Sequence, residues 1–118
     1  MDIVTFLQQL KKKSSGRAGM ILVHNGIVRE TARDGSPVTC VDVVLDSKKL
    51  HSILEEARTR PGIVAVEVEV REGRLAVGED IMLLGVAGDV RENVIKVLSE
   101  TLDRIKTEAT RKQEHPSG

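Results

Sequence analysis

The stretch at residues 88–112 reads GDVRENVIKVLSETLDRIKTEATRK and predicts the longest helix of the chain. Its apolar positions recur every three or four residues, which is typical of a helix that packs one face against a core. Asp89 lies where an N-cap is expected, and Glu92, three residues later, is typical of a capping box. The predicted packed face consists of Arg91, Ile95, Leu98, Leu102, Ile105 and Ala109.

Two basic residues lie near opposite ends of this predicted helix. Arg91 falls in the first turn, where the helix dipole and the free N–H groups already favour an anion, and Lys106 lies near the other end. Their spacing corresponds to roughly 22 Å along an α-helix, so one small ligand cannot contact both residues of one chain. If both serve one site, two antiparallel copies of the helix must bring them together. On the condition that both residues are functional, the spacing predicts a homodimer with shared sites.

The length and the charge balance limit the class of protein. The 118 residues suit one domain with a modest core, and 18 basic residues are balanced by 18 acidic ones. Without net charge, binding to nucleic acid or to an anionic membrane is not expected. Cys40, the single cysteine, fits a reducing compartment, and no signal peptide or long apolar run occurs, so we expect a cytoplasmic protein. Phe6 is the only aromatic residue, which argues against an aromatic platform for single-stranded nucleic acid.

The remaining periodicity predicts the element order α-β-β-α-β-β-β-α. Helices are expected at 2–13 and 47–60, and strands at 19–29, 38–45, 63–71, 74–77 and 81–86. The first two strands, separated by the turn residues Asp34 and Gly35, are predicted to form a hairpin. This order favours an α+β fold, a mostly antiparallel sheet with helices packed on it. We expect a single domain over residues 1–118, with a short N-terminal helix at 2–13, a core at 19–112 and a frayed tail at 113–118.

The motifs of the common enzyme classes do not occur in this sequence. The three histidines lack metal-ligand spacing, so neither a structural metal nor a cofactor is expected. No P-loop, dinucleotide-binding glycine motif or nucleophile elbow is present, and Cys40 lies within a mostly apolar predicted strand as a packed core residue does. What remains is a set of basic residues at element ends, which could hold a phosphate or stabilise charge during acyl or sulfur transfer. The set consists of Arg29, Arg91, Lys106, Arg111 and Lys112.

Several short motifs resemble those of the molybdopterin synthase large (catalytic) subunit family. Residues 26–29 (GIVR) resemble the G-x-V-R that ends the first core strand of that family, and residues 34–38 (DGSPV) resemble the turn into its second strand. Residues 71–75 (REGRL) resemble its H-R-x-G-x-L, and residues 103–107 (DRIKT) resemble its D-x-L-K-T. The resemblance covers roughly residues 16–112, and the order and spacing of the motifs together are specific.

This resemblance implies an α/β-hammerhead-like fold and a role in molybdenum cofactor biosynthesis. It implies an enzyme that moves sulfur from the C-terminal thiocarboxylate of a small ubiquitin-like subunit, ending in Gly-Gly, onto cyclic pyranopterin monophosphate to form the molybdopterin dithiolene. The implied assembly is a central homodimer with a small subunit at each end and with sites that borrow residues across the dimer. Lys106 takes the place of the active-site lysine beside the thiocarboxylate. Arg29 and Arg91 take the places of arginines that bind the substrate phosphate, Arg91 from the second chain.

The sequence departs from the family pattern at three positions that bear on function. Val90 stands where the family has a histidine, and His24 stands where it has an aromatic residue. The second family lysine falls on Gln113, or on Lys112 after a slip of one residue, and Lys112 is a substrate-binding candidate. These departures leave an alternative: a non-catalytic homodimeric relative that binds a ubiquitin-like tail or an anionic ligand without turnover.

Overall fold

A computed structural model describes residues 1–116 as two three-stranded antiparallel sheets with helices packed on them, so the predicted α+β class is confirmed. The first sheet has the strand order β1-β5-β3 and the second has the order β4-β2-β6. The elements are α1 (Ile3–Ser14), β1 (Met20–Ile27), β2 (Val38–Leu45), α2 (Ser47–Arg58), β3 (Ile63–Val70), β4 (Gly73–Ala76), β5 (Asp80–Gly88), α3 (Arg91–Arg104), a π-helical turn (Ile105–Ala109) and β6 (Thr110–Pro116). Among the described helices, none combines the length and the hydrophobicity that a membrane span requires.

Strand β5 lies at the centre of the first sheet and carries the core on both of its faces. Met82, Leu84 and Val86 belong to the main core cluster, which α2, α3 and the π-helical turn cover. Leu83 and Ala87 point to the other face, where α1 packs. Because both faces are covered, β5 reads as a nearly continuous apolar run.

The predicted N-terminal helix is present as α1, and it approaches β5 closely. The Asp2 carboxylate caps the helix by accepting a hydrogen bond from the backbone N–H of Val4 at 3.0 Å. Phe6 and Leu10, on the face of the helix that packs against the sheet, are buried. A Cβ atom at Gly85 would lie 2.4 Å from Leu10 Cδ1, so the helix can pack this closely only because the strand carries a glycine there.

The predicted hairpin between the first two strands is wrong. Strand β1 pairs with β5 in the first sheet, whereas β2 pairs with β4 and β6 in the second. The connection at 28–37 crosses between the sheets because its first residue, Val28, is buried in the core of the second sheet rather than exposed at a turn. That core also contains Val38, Val41, Val43 and Leu75.

The long last helix begins one residue later than predicted, and its packed face agrees with the prediction only in part. Four of the six predicted positions pack against the core, namely Leu98, Leu102, Ile105 and Ala109, whereas Arg91 and Ile95 are exposed. Val90 occupies the N-cap without a side-chain hydrogen bond, whereas the Asp89 carboxylate accepts hydrogen bonds from Val90 N at 2.6 Å and from Asn93 Nδ2 at 2.9 Å. The predicted capping box is therefore wrong. Ile95, predicted to be packed, is 51% exposed. The buried positions are Val94, Val97, Thr101, Ile105 and Ala109.

The end of the chain differs from the prediction as well. The α-helix stops at Arg104, the π-helical turn follows, and residues 110–116 form β6 along β2 instead of a helix end and a frayed tail. His115 Nε2 lies 2.5 Å from Asp42 Oδ2, and Arg74 Nε lies 3.1 Å from Asp42 Oδ1, which ties β6 and β4 to the central β2. The hydrogen bonds from Arg74 and then from His115 lower the pKa of Asp42 to about 2. Residues 117 and 118 lie outside the described part of the chain.

Candidate functional site

A cavity of about 560 Å³ lies where the end of β1, the π-helical turn and β6 meet. Within residues 1–116 the two sheets do not pair with each other, and strands of both sheets contribute residues that line the cavity. Apolar side chains such as Val43 and Met82 form part of the wall. Three cationic side chains also line the cavity: Arg33, Lys106 and Lys112.

The π-helical turn places Lys106 at this cavity. Ile105 and Ala109, which bracket the turn, are both buried in the main core. The backbone N–H of Thr110 bonds to the carbonyl oxygen of Ile105, and the Thr110 hydroxyl donates to the same oxygen at 3.3 Å. The turn thus accommodates one residue more than an α-helical turn, a feature that occurs often at functional sites. Lys106 lies between the two buried anchors and is exposed to the cavity.

The charge of the cavity is one-sided. None of the lining residues is a carboxylate, and within residues 1–116 none of the three lining cations forms an ion pair. By contrast Glu108, on the same turn, pairs with Arg104 Nε at 2.8 Å and with Lys49 Nζ at 3.2 Å. Unpaired cations around a partly enclosed space favour an anionic ligand.

His24 adds a neutral polar group to the same wall. Burial, and after it the positive charge of Lys106, lowers the pKa of this imidazole, so the ring is uncharged near pH 7. A Cβ atom at Gly26 would lie 3.2 Å from His24 Nε2, so the glycine leaves room for the ring against the strand. A neutral imidazole can accept or pass on a proton.

The structure brings two of the predicted site residues together. Lys106 and Lys112 line the same cavity. Side chains alternate along β6, and Thr110 lines the cavity as Lys112 does, which places Gln113 on the opposite face of the strand. The geometry therefore favours position 112 over position 113 as the equivalent of the second lysine, so Lys112 is the second lysine candidate of the site.

The other predicted basic residues lie elsewhere in the single chain. Arg29 is exposed, and its Nε donates a hydrogen bond to the Thr31 carbonyl oxygen at 2.7 Å. Arg91 begins α3 and lies at a separate shallow depression, with its Nε 3.6 Å from Glu92. Arg111 is exposed beside a third depression on the far side of β6. One chain thus keeps Arg91 and Lys106 apart, as their spacing in the sequence predicts.

Sequence reasoning assigned neither His24 nor Arg33 to the site. For His24 a signal was present, because it precedes Gly26 by two residues and therefore shares a strand face with a residue of the G-x-V-R motif. For Arg33 no signal was present, because its position depends on how a connection between two sheets folds. Within residues 1–116 no cluster of histidine, cysteine and carboxylate side chains could hold a metal ion.

Several solved structures resemble this chain, among them the following three. Molybdopterin synthase from Staphylococcus aureus matches with a TM-score of 0.79 at 22% sequence identity, over 94% of this chain and 84% of that chain. Molybdopterin cofactor biosynthesis protein E from Burkholderia multivorans matches with a TM-score of 0.80 at 24% identity, over 99% and 82%. The complex of subunits 1 and 2 of the molybdopterin-converting factor from Helicobacter pylori matches with a TM-score of 0.75 at 18% identity, over 97% and 78%. At these identities the likeness shows a shared fold.

Sequence comparison identifies the family. No curated protein sequence matches the chain. The sequence pattern of the family described as "MoaE protein" matches residues 1–108, which is nearly the whole chain. This chain therefore belongs to the MoaE family, whose members act in molybdenum cofactor biosynthesis.

Proposed function

We propose that the chain is the catalytic subunit of a molybdopterin synthase, acting in the cytoplasm. It transfers sulfur from the C-terminal thiocarboxylate of a small ubiquitin-like subunit onto cyclic pyranopterin monophosphate. The observation that carries the proposal is the cavity in which Lys106, Lys112 and Arg33 converge without a carboxylate. Both reactants are anions, so a site of this charge suits them together.

In this proposal Lys106 is the catalytic residue. Its ammonium group lies beside the thiocarboxylate carbonyl and stabilises the negative charge that develops on the oxygen during transfer. The buried anchors Ile105 and Ala109 hold the lysine in place, so little reorganisation is needed when the reaction occurs. The His24 ring lies on the same cavity wall.

The substrate phosphate requires further cations. Lys112 lines the same cavity as Lys106 and supplies one of these cations in the proposal. Arg29 is a further candidate for binding the phosphate, because it lies only two positions after Ile27, which lines the cavity. Arg91 lies away from the cavity of its own chain, so in this proposal it comes from the second copy of a homodimer.

A small subunit is the expected partner of this chain. The Helicobacter pylori relative was solved as a complex of two subunits of the molybdopterin-converting factor, which supports a two-subunit assembly here. The occupant of the cavity would be the extended Gly-Gly end of that partner. A tail without large side chains can enter a narrow gap between two sheets at small steric cost.

One alternative has a specific observation in its favour. Val90 stands where the family has a histidine, and its side chain is 49% exposed and forms no hydrogen bond at the helix start. If the reaction requires a proton carrier there, the chain is a non-catalytic homodimeric relative that binds the ubiquitin-like tail or another anion without turnover.

Two measurements in sequence separate these functions. The first is a pull-down with a thiocarboxylated small subunit, and the second is an assay of sulfur incorporation into cyclic pyranopterin monophosphate. The proposal predicts binding and turnover, and it predicts that Lys106→Ala lowers turnover about 100- to 1,000-fold with an unchanged circular dichroism spectrum. Lys96→Ala, an exposed lysine of α3 that does not line the cavity, is the matched control. Binding without turnover would reject the enzyme and leave the alternative.

A further inference from the structure

Among the described residues that line the cavity, Arg33 is the one arginine, and the family motifs do not include it. It lies in the connection between β1 and β2, whereas Lys106 and Lys112 come from the π-helical turn and from β6. Cations from three separate segments thus converge on one space. A solvent-exposed charged face on one helix or strand would not explain this, because the three cations come from different segments.

The connection that carries Arg33 is held by its own hydrogen bonds. Its backbone is closed by a bridge between Thr31 and Pro37 and by a hydrogen bond from Ala32 N to the Ser36 carbonyl oxygen at 2.8 Å. The Asp34 carboxylate accepts hydrogen bonds from the backbone N–H of Ser36 at 2.9 Å and from its hydroxyl at 2.7 Å. An ordered turn of this kind presents its side chain at a reduced entropic cost on binding.

The start of the same connection is fixed to the core of the second sheet and to the turn between β4 and β5. Val28 is 3% exposed, its N–H donates to the Glu79 carbonyl oxygen at 2.9 Å, and its own carbonyl accepts from Gly78 N at 2.8 Å. Ala32 packs partly buried against the core of the second sheet. Arg33 therefore extends from a base that is anchored on both sides.

The two arginines of this connection differ in what they already contact. The Arg29 guanidinium donates through Nε to the Thr31 carbonyl oxygen, only two residues away, and so helps to shape the connection itself. In the described part of the chain, Arg33 forms neither an ion pair nor a side-chain hydrogen bond, and it faces the cavity. All the donors of Arg33 remain free for a ligand.

We infer that Arg33 binds the anionic group of the pterin substrate and contributes more to substrate affinity than Arg29 does. The planar guanidinium fork donates two parallel hydrogen bonds to phosphate oxygens, whereas Lys106 and Lys112 act as point charges. The inference rests on the proposed function for the identity of the substrate. The position of Arg33 in the cavity wall does not depend on the proposed function.

The experiment compares wild type with Arg33→Ala, Arg33→Lys and the matched variant Arg29→Ala. Affinity for cyclic pyranopterin monophosphate is measured by isothermal titration calorimetry, and the circular dichroism spectrum checks the fold. Loss of a charge-assisted hydrogen-bonding group predicts roughly 10- to 100-fold weaker binding for Arg33→Ala. Arg33→Lys, which keeps the charge and loses the fork, should fall between Arg33→Ala and wild type. Arg29→Ala should weaken binding less than Arg33→Ala.

A second arm uses inorganic phosphate as the probe and needs no turnover. Phosphate titrated into the wild-type protein should shift the ¹H–¹³C NMR signals of His24, on the same cavity wall, and Arg33→Ala should require a higher phosphate concentration for the same shift. Unchanged affinity in Arg33→Ala, or a larger loss in Arg29→Ala, would overturn the inference while leaving sulfur transfer intact. Arg33-dependent binding without sulfur transfer would instead reject the proposed function and leave the anion site.

Discussion

The substitution Ile105→Ala tests whether packing in the main core holds Lys106 at the cavity. Ile105 is fully buried and directly precedes Lys106 on the π-helical turn. Truncating a buried isoleucine to alanine costs about 2–5 kcal/mol. A domain of this length is stable by roughly 6–18 kcal/mol, so the variant should remain folded, with a Tm lowered by roughly 8–20 °C. Ile53→Ala is the matched control, because Ile53 is 1% exposed and packs in the same core from α2.

Two readouts separate stability from placement. Urea unfolding followed by circular dichroism measures stability, since the chain has no tryptophan or tyrosine for fluorescence. An NMR titration of His24 reports the position of Lys106, because burial and then the Lys106 charge lower the pKa of that ring. Both variants should lose stability. Only Ile105→Ala should let Lys106 move away and so raise the pKa of His24 toward its ordinary value.

Two results would refute this reasoning. A loss of less than about 1 kcal/mol in Ile105→Ala would show that the side chain is not packed as described. Identical His24 titration curves in Ile105→Ala and Ile53→Ala would show that the core does not determine where the lysine lies.

Three further predictions concern the packing, the acid stability and the second lysine. Gly85→Ala should lower the free energy of unfolding by about 1–3 kcal/mol in urea, because its Cβ would lie 2.4 Å from a methyl carbon of α1; unchanged stability would contradict this packing. The two basic partners of Asp42 hold the pKa of its carboxyl group at about 2 in the folded state. Its contribution to the free energy of unfolding is therefore fully present above about pH 4, which is near the pKa of this group in the unfolded state. As the pH falls toward 2 that contribution is lost, so the urea midpoint of wild type should fall more steeply than that of Asp42→Asn, and parallel curves would count against the contact. Lys112→Ala should weaken binding of the phosphate-bearing substrate about tenfold or more in calorimetry, whereas Gln113→Ala should leave it nearly unchanged, and the reverse order would reject the strand register.

Local periodicity predicted the elements whose burial is one-sided or complete. The core face of α2 follows from the spacing of Leu50, Ile53, Leu54 and Ala57, all of which are buried. The buried run in β5 was likewise recognised, although the strand extends to Gly88. In these elements the sequence pattern and the tertiary environment agree, so short-range reasoning suffices.

The end of the chain could not be predicted in the same way. Ile105 and Ala109 are four residues apart and both buried, so the helical spacing continues through a turn that is no longer α-helical. Strand β6 follows it, and six of its seven residues are polar or charged because it is an edge strand with most of its side chains exposed. The sequence therefore carries no alternation from which to predict it.

Half of the candidate site was predictable, and the remainder depends on tertiary structure. Lys106 and Lys112 were selected from motifs, and the structure places both at the cavity. Arg33 reaches it through the connection at 28–37, which leads from the first sheet to the second because β1 and β2 do not pair with each other as predicted. The exposed Arg91 belongs to the site only if a second copy supplies it, which no pattern within one chain can decide.

Subunit complementation tests most directly whether the site is shared between two copies of the chain. Lys106→Ala and Arg91→Ala are each expected to lose sulfur transfer alone, and the two variants are then unfolded, mixed in equal amounts and refolded together. If Lys106 of one chain acts with Arg91 of the other, mixed dimers contain one intact site, and sulfur transfer should recover to roughly a quarter of wild type. Activity no higher than that of the separate variants would contradict a site shared between two copies of the chain.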